Sequence, residues 1–129
     1  MSTEQNKAVV RRFIEGILNT MDNDVVDEVF APNYVNHLVP GGREGFKQFF
    51  PMLRSAFPDL KWDFNVERLI AEGDYVMGRA TMHVTNAGKE ATASDLSEYR
   101  LANGKIVEDW PPSGVAALLQ QVGVTLPSG

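Results

Sequence analysis

The residues best placed to do chemistry lie on either side of Asn103-Gly104. Upstream, Asp95, Ser97 and Tyr99 alternate with Leu96 and Glu98. Downstream, Asp109 follows Val107 by two positions. Alternation along a strand turns every second side chain to the same face, so Asp95, Ser97 and Tyr99 share one face and Asp109 shares one with Val107. A carboxylate moved from water into an apolar pocket holds its proton more tightly, and can then act as base or acid near neutral pH. The chemistry this suits is proton removal from a carbon next to a carbonyl, with a nearby donor for the developing enolate oxygen. Asp109 is the first candidate for that work, Asp95 is the second carboxylate, paired to it across the hairpin or acting through Ser97, and Tyr99 is a candidate donor. The competing reading is that both aspartates sit at strand ends and accept backbone N–H groups, as most aspartates in sheets do.

Asn103-Gly104 supplies the positive φ angles of a tight hairpin connection, and Tyr99, Leu101, Ile106, Val107 and Trp110 give its arms β character. Upstream of it, Tyr75–Thr85 reads as a long strand with Val76, Gly78, Ala80, Met82 and Val84 on the inner face. Gly78 and Ala80 are small, and they leave space above the middle of the sheet. That space is either a ligand cavity floored by Gly78 or a gap filled by Phe13, Phe50 or Trp62. Trp62, Phe64 and Val66 alternate with polar residues in a strand before it, and Glu72-Gly73-Asp74 and Asn86-Ala87-Gly88 read as turns. Tyr75, Met77 and Arg79 on the other face of the long strand form a candidate dimer seam.

Helices precede the strands. Ser2 and Gln5 form a capping box ahead of Val9, Val10, Phe13, Ile14, Ile17, Leu18 and Met21, which recur at helical spacing. A short second helix carries Val25, Val26, Val29 and Phe30 and ends at Pro32, with a brief extended piece and a loop following from Asn33. Arg43–Phe57 reads as a third helix, bent at Pro51, which removes the hydrogen bond to the Lys47 carbonyl. Val115–Val122 closes the fold as a short helix, and Thr125–Gly129 is a tail. Helices followed by an antiparallel meander make an α+β protein, with the helices over one face of the sheet.

At 129 residues the chain is a single domain, 1–129, able to bury roughly two thirds of its unfolded surface. It has no cysteine, and so no disulfide, thiolate nucleophile or cysteine metal site; this fits the cytoplasm. Twelve basic and seventeen acidic residues give a net charge of −5, which repels nucleic acid and anionic membrane surfaces. No apolar run approaches a membrane span, and the N-terminus lacks the pattern of a signal peptide. His37 and His83 are the only histidines and lie far apart without a spaced carboxylate motif, so no metal site is expected. Gly41-Gly42-Arg43-Glu44-Gly45 lacks the ending of a phosphate loop and more simply opens the third helix. Trp62 and Trp110 are expected in the core or in a pocket wall.

Phe57-Pro58-Asp59-Leu60, Ala71-Glu72-Gly73-Asp74, the run Tyr99–Glu108 and the ending Leu119-Gln120-Gln121-Val122-Gly123 together resemble the SnoaL-like polyketide cyclases of the nuclear transport factor 2-like superfamily. The resemblance implies a cone-shaped α+β barrel, a curved antiparallel sheet packed on three N-terminal helices around an apolar pocket, commonly dimerised through the outer face of the sheet. It implies acid–base closure of a polyketide ester or similar small apolar molecule, with no metal or organic cofactor. His37 corresponds to a histidine at the pocket rim in these proteins, and Ser97 stands where some members carry a histidine. The chain departs from the family at the catalytic string. The acidic residue expected after Trp110 is Pro111, a later acidic position is Gly114, and Asp109 replaces a histidine. The resemblance therefore leaves two functional expectations, an acid–base enzyme using Asp109 and Asp95, or a binding module without a proton carrier.

Overall fold

The computed structural model describes residues 2–126, and the end of the expected tail, 127–129, lies outside them. Helix α1 (Thr3–Phe13) starts at the expected capping box: Ser2 Oγ accepts from Gln5 N–H at 3.1 Å and Gln5 Oε1 accepts from Ser2 N–H at 2.9 Å. The helix runs on as a π-helical turn over Ile14–Leu18, closed by Asn19 N–H on the Ile14 carbonyl at 3.0 Å. At the end of this turn the Leu18 carbonyl accepts from Trp62 Nε1–H at 2.6 Å as well as from Met21 N–H at 3.3 Å. The Asn19 amide meets the backbone of Phe64, accepting at 2.7 Å and donating at 3.0 Å. Helix and sheet are thereby pinned together beside two aromatic side chains.

The second helix is shorter than its sequence suggests. Helix α2 covers only Val26–Val29, and strand β1 (Phe30–Asn36) begins before Pro32. Proline is tolerated there because β1 is an edge strand, where a missing N–H leaves no ladder bond unmade. Helix α3 (Gly42–Ala56) continues through Pro51. The Lys47 carbonyl, which has no N–H to accept from residue 51, accepts instead from Asn23 Nδ2–H at 2.6 Å. Gly45 makes the close approach of loop to helix possible, since a Cβ there would lie 2.0 Å from the Pro40 carbonyl oxygen.

Strands β2 (Lys61–Glu72), β3 (Tyr75–Asn86), β4 (Lys89–Ala102) and β5 (Lys105–Trp110) form an antiparallel meander. The β4–β5 turn takes the expected positive φ, 52° at Asn103 and 80° at Gly104. The sheet order is β1-β5-β4-β3-β2, with β1 parallel to β5, so the sheet is curved, unclosed and antiparallel except at that edge. Bulges at Glu67 and Val107 shift the register between β2 and β3 and between β4 and β5. Helix α4 (Val115–Gln121) lies on the inner side of β4 and buries Val115, Leu118 and Leu119. Val76, Ala80, Met82 and Val84 of β3 face inward as expected and are buried with Phe13, Phe30, Tyr34, Phe46 and Phe50. Among the described residues no helix is long and apolar enough to cross a membrane, and no three His, Cys, Asp or Glu side chains are grouped to hold a metal.

Candidate functional site

Asp109 reaches the interior because the pleat of β5 alternates Glu108 and Trp110 outward with Asp109 inward. At 1% exposure it is the most deeply buried charged residue among those described. Parallel pairing sets Asn36 of β1 beside it, and Tyr34, two residues earlier on the same face, lies within reach. Tyr34 O–H donates to Asp109 Oδ2 at 2.7 Å, and Asn36 Nδ2–H donates to the Tyr34 hydroxyl oxygen at 2.8 Å and to Asp109 Oδ2 at 3.4 Å. The other end of the Asn36 amide is equally engaged. Its Oδ1 accepts from Leu38 N–H at 2.7 Å and Val39 N–H at 2.8 Å, which fixes the amide so that the nitrogen faces the acid. Asp109 Oδ1 is buried and has no hydrogen-bond partner among the described residues.

The electrostatics follow from that geometry. Burial drives the Asp109 pKa up to about 7 from the ordinary carboxylate range, against the opposing pull of the Tyr34 hydrogen bond and the charge of His37. Burial, aided by the nearby Asp109 carboxylate, pushes the Tyr34 and Tyr99 phenols well above their usual range. Both therefore stay protonated and available as donors. Tyr99 stands directly across the β4–β5 ladder from Asp109 and is 2% exposed.

Asp109, Asn36 and Tyr99 border a cavity of about 50 Å³ whose walls are otherwise apolar, with Phe13, Phe46, Phe49, Trp62, Phe64 and Pro111 among them; Tyr34 stands behind Asp109, outside the lining. Phe13 and Tyr99 of the lining meet edge-on at 5.8 Å, and behind them Phe30 packs on Tyr34 at 3.8 Å between ring centroids. Of the residues expected at a site, Asp109, Tyr99, Phe13 and Trp62 are brought together here.

The others are placed elsewhere. Asp95 lies four residues along β4 from the position opposite Asp109, about 13 Å at strand spacing, and so does not pair with it. Its oxygens accept from Gly114 N–H at 2.8 Å and Leu96 N–H at 2.7 Å, which ties the start of α4 to the sheet. Ser97 is buried beside Tyr99, outside the cavity wall. Gly78 does not floor a cavity, because Leu69 from β2 covers it; a Cβ at Gly78 would lie 3.0 Å from Leu69 Cδ2. Phe50 is buried behind Phe46 and Phe49. His37 and Trp110 fall on the outer side of β5, stacked on each other at 5.0 Å, with His37 Nε2 2.6 Å from Glu108 Oε2.

Tyr34 and Asn36 are the two functional side chains that the sequence reading left out. The signal was there: Tyr34-Val35-Asn36 has the alternation of a strand, hidden because the segment reads as a short piece before a glycine loop.

Residues 8–122 match the family model described as SnoaL-like polyketide cyclase. Among curated proteins none matches the chain. Several solved structures do. Wild-type IdmH of Streptomyces antibioticus, a proposed polyketide cyclase, is 25% identical, with 93% of this chain and 99% of that chain aligned at a TM-score of 0.72. A proposed SnoaL-like polyketide cyclase of a Jannaschia species is 22% identical over 95% of this chain and 94% of its own, TM-score 0.73. A nuclear transport factor 2-like protein of unknown function from Burkholderia pseudomallei is 19% identical over 96% and 100%, TM-score 0.77. The last two are likenesses of fold.

Proposed function

The chain belongs to the SnoaL-like polyketide cyclase family, and from that premise we propose that it is a cofactor-independent acid–base enzyme of cyclase or isomerase type. Its substrate is a polyketide-like or other apolar carbonyl or ester compound, and Asp109 is its proton carrier. The observation that carries this reading is the buried Asp109 carboxyl, with Oδ2 held by Tyr34 and Asn36 and Oδ1 unpartnered in a residue that borders an apolar cavity. In ring closure, Asp109 Oδ1 takes a proton from the carbon between two carbonyls while Tyr99 O–H donates to the enolate oxygen. The carbanion attacks a third carbonyl carbon further along the same substrate, and the alkoxide so formed takes the proton back from Asp109. Tyr34 and Asn36 hold the carboxyl in place, and Asp95 acts only as the anchor of α4.

A binding module remains the competing reading, and Pro111 favours it, since it stands in the cavity wall where the family carries an acid. The two readings part on one substitution. With a β-dicarbonyl ester as substrate, Asp109→Asn abolishes turnover and leaves ligand binding in place if Asp109 carries the proton. Unchanged turnover removes Asp109 from the chemistry.

We also assign the outer face of the sheet to a homodimer. Ile70, Tyr75, Met77 and Leu96 are exposed there on three adjacent strands, with Ile70 and Met77 directly paired. Arg68, Glu72 and Glu98 stand among them on the same face. A two-fold copy can set these opposite charges against each other while covering the apolar residues.

A further inference from the structure

The cavity beside Asp109, at about 50 Å³, admits on the order of three or four non-hydrogen atoms, enough for a carbonyl group and its neighbouring carbon. No polyketide-like compound fits within it. Next to it lies a second hollow of about 230 Å³, between the loop after β1 and the exposed flank of α3. Leu38, Val39, Phe49 and Leu126 belong to the walls of both, so a single layer of side chains separates them. Gln48 is the one polar side chain lining the outer hollow among the described residues. Among the described residues no lysine, arginine or histidine lines either space. A phosphate, sulfate or carboxylate would find no counter-charge there, beside a buried acid and in a protein of net charge −5.

The dividing layer is also where the structure can yield. Leu126 stands in irregular chain beyond α4, after the last turn is closed by Val124 N–H on the Leu119 carbonyl at 3.0 Å. Leu38 is 36% exposed on the loop after β1, and Met52, at the far side of the outer hollow, is 40% exposed. The backbone of Leu38 and Val39, by contrast, is held by the Asn36 amide. Side chains can turn there while the loop stays in position over Asp109.

Resting on the reading of Asp109 given above, we propose that the site takes elongated, uncharged ligands. A small oxygen-bearing head sits at Asp109, and an unbranched apolar body passes between Val39 and Phe49 into the outer hollow as Leu126 and Leu38 swing aside.

The test uses straight-chain methyl ketones from 2-butanone to 2-nonanone as probes, titrated into carbon-13-labelled protein. The carboxyl carbon of Asp109, the side-chain amide of Gln48 and the methyl of Met52 are followed by NMR. The expected result is that every ketone moves the Asp109 signal and that affinity rises about three- to fourfold per methylene. Gln48 and Met52 respond only to the longer members. Met52→Trp, or Gln48→Trp on the same exposed flank, fills the outer hollow and flattens the length dependence, while 2-butanone still moves Asp109. Affinity independent of chain length overturns the proposal, as does a series that moves Gln48 and Met52 but leaves Asp109 untouched. The proton-carrier reading fails by a different result: an Asp109 carboxyl titrating near the unperturbed ~3.9 removes it, with the length dependence still standing.

Discussion

Asp109 concentrates the conflict that makes a site: a carboxyl placed where its charged form is poorly tolerated. Its pKa of about 7 against an ordinary ~3.9 means that the native state keeps a proton which the unfolded chain has already released. Between about pH 4 and 7 the native state therefore binds more protons, so stability falls as pH rises through that window and levels off above it. Asp109→Asn has no proton to lose. Its melting temperature relative to the wild type is expected to climb from pH 4 to pH 7, corresponding by pH 8 to a gain on the order of a few kcal/mol; a difference constant with pH would show that the carboxyl is solvated. Tyr34→Phe removes a donor to the ionised form, so the Asp109 titration followed by carboxyl NMR should move to still higher pH. Asp109 was legible from its place after the Asn103-Gly104 turn and from the family resemblance. The alternation that put it on one face with Val107 fails, because the bulge at Val107 makes Ile106 its inward neighbour instead. The partners of Asp109 were less legible: the alternation of Tyr34 and Asn36 marks a strand, but nothing local tells that it pairs in parallel with a strand 73 positions away.

At the scale of elements, Asn23 and Pro51 illustrate how a local rule is broken and compensated. Proline inside α3 orphans the Lys47 carbonyl, and the sequence alone suggests a bend as the outcome. In the structure a side chain from the segment before α2, Asn23, supplies the missing donor. Asn23→Ala is expected to destabilise the fold by about 1 kcal/mol, the cost of leaving a part-buried carbonyl without a donor. Pro51→Ala restores the N–H of residue 51, so in that background Asn23→Ala should cost much less. A double-mutant cycle in urea measures the difference, and additive effects would mean that Asn23 stabilises by some other route. The same contrast sets what could be read of the elements. Periodicity found α1, α3 and the four-strand meander, because each buries one face of a regular pattern. It did not find the strand from Phe30, whose Ala31-Pro32-Asn33 is a poor strand sequence held by its place at the sheet edge.

For the whole molecule, the helices account for only one face of the sheet. The inner face is closed by α1, α3 and α4, and what it encloses is the acid and its cavity. The outer face keeps Ile70 at 61%, Leu96 at 49%, Tyr75 at 46% and Met77 at 43% exposure. Single exposed apolar side chains are ordinary on a protein surface, but four on neighbouring strands form a patch, and a patch calls for a cover. Two ion pairs stand among these residues: Arg79, opposite Leu96, with Glu67 at 2.8 Å, and Arg100, opposite Tyr75, with Glu108 at 3.2 Å. A second copy related by a two-fold axis sets Leu96 and Met77 in the middle of a self-matching surface. Leu96→Glu adds a charge to that centre on both sides at once, so sedimentation should show the wild type as a dimer at micromolar concentration and the variant as a monomer. Because Leu96 points away from the cavity, the monomer should retain the Asp109 titration near 7. A wild type that sediments as a monomer would overturn the assignment of this face, and a variant monomer with a shifted Asp109 would show that the sheet transmits the contact to the site.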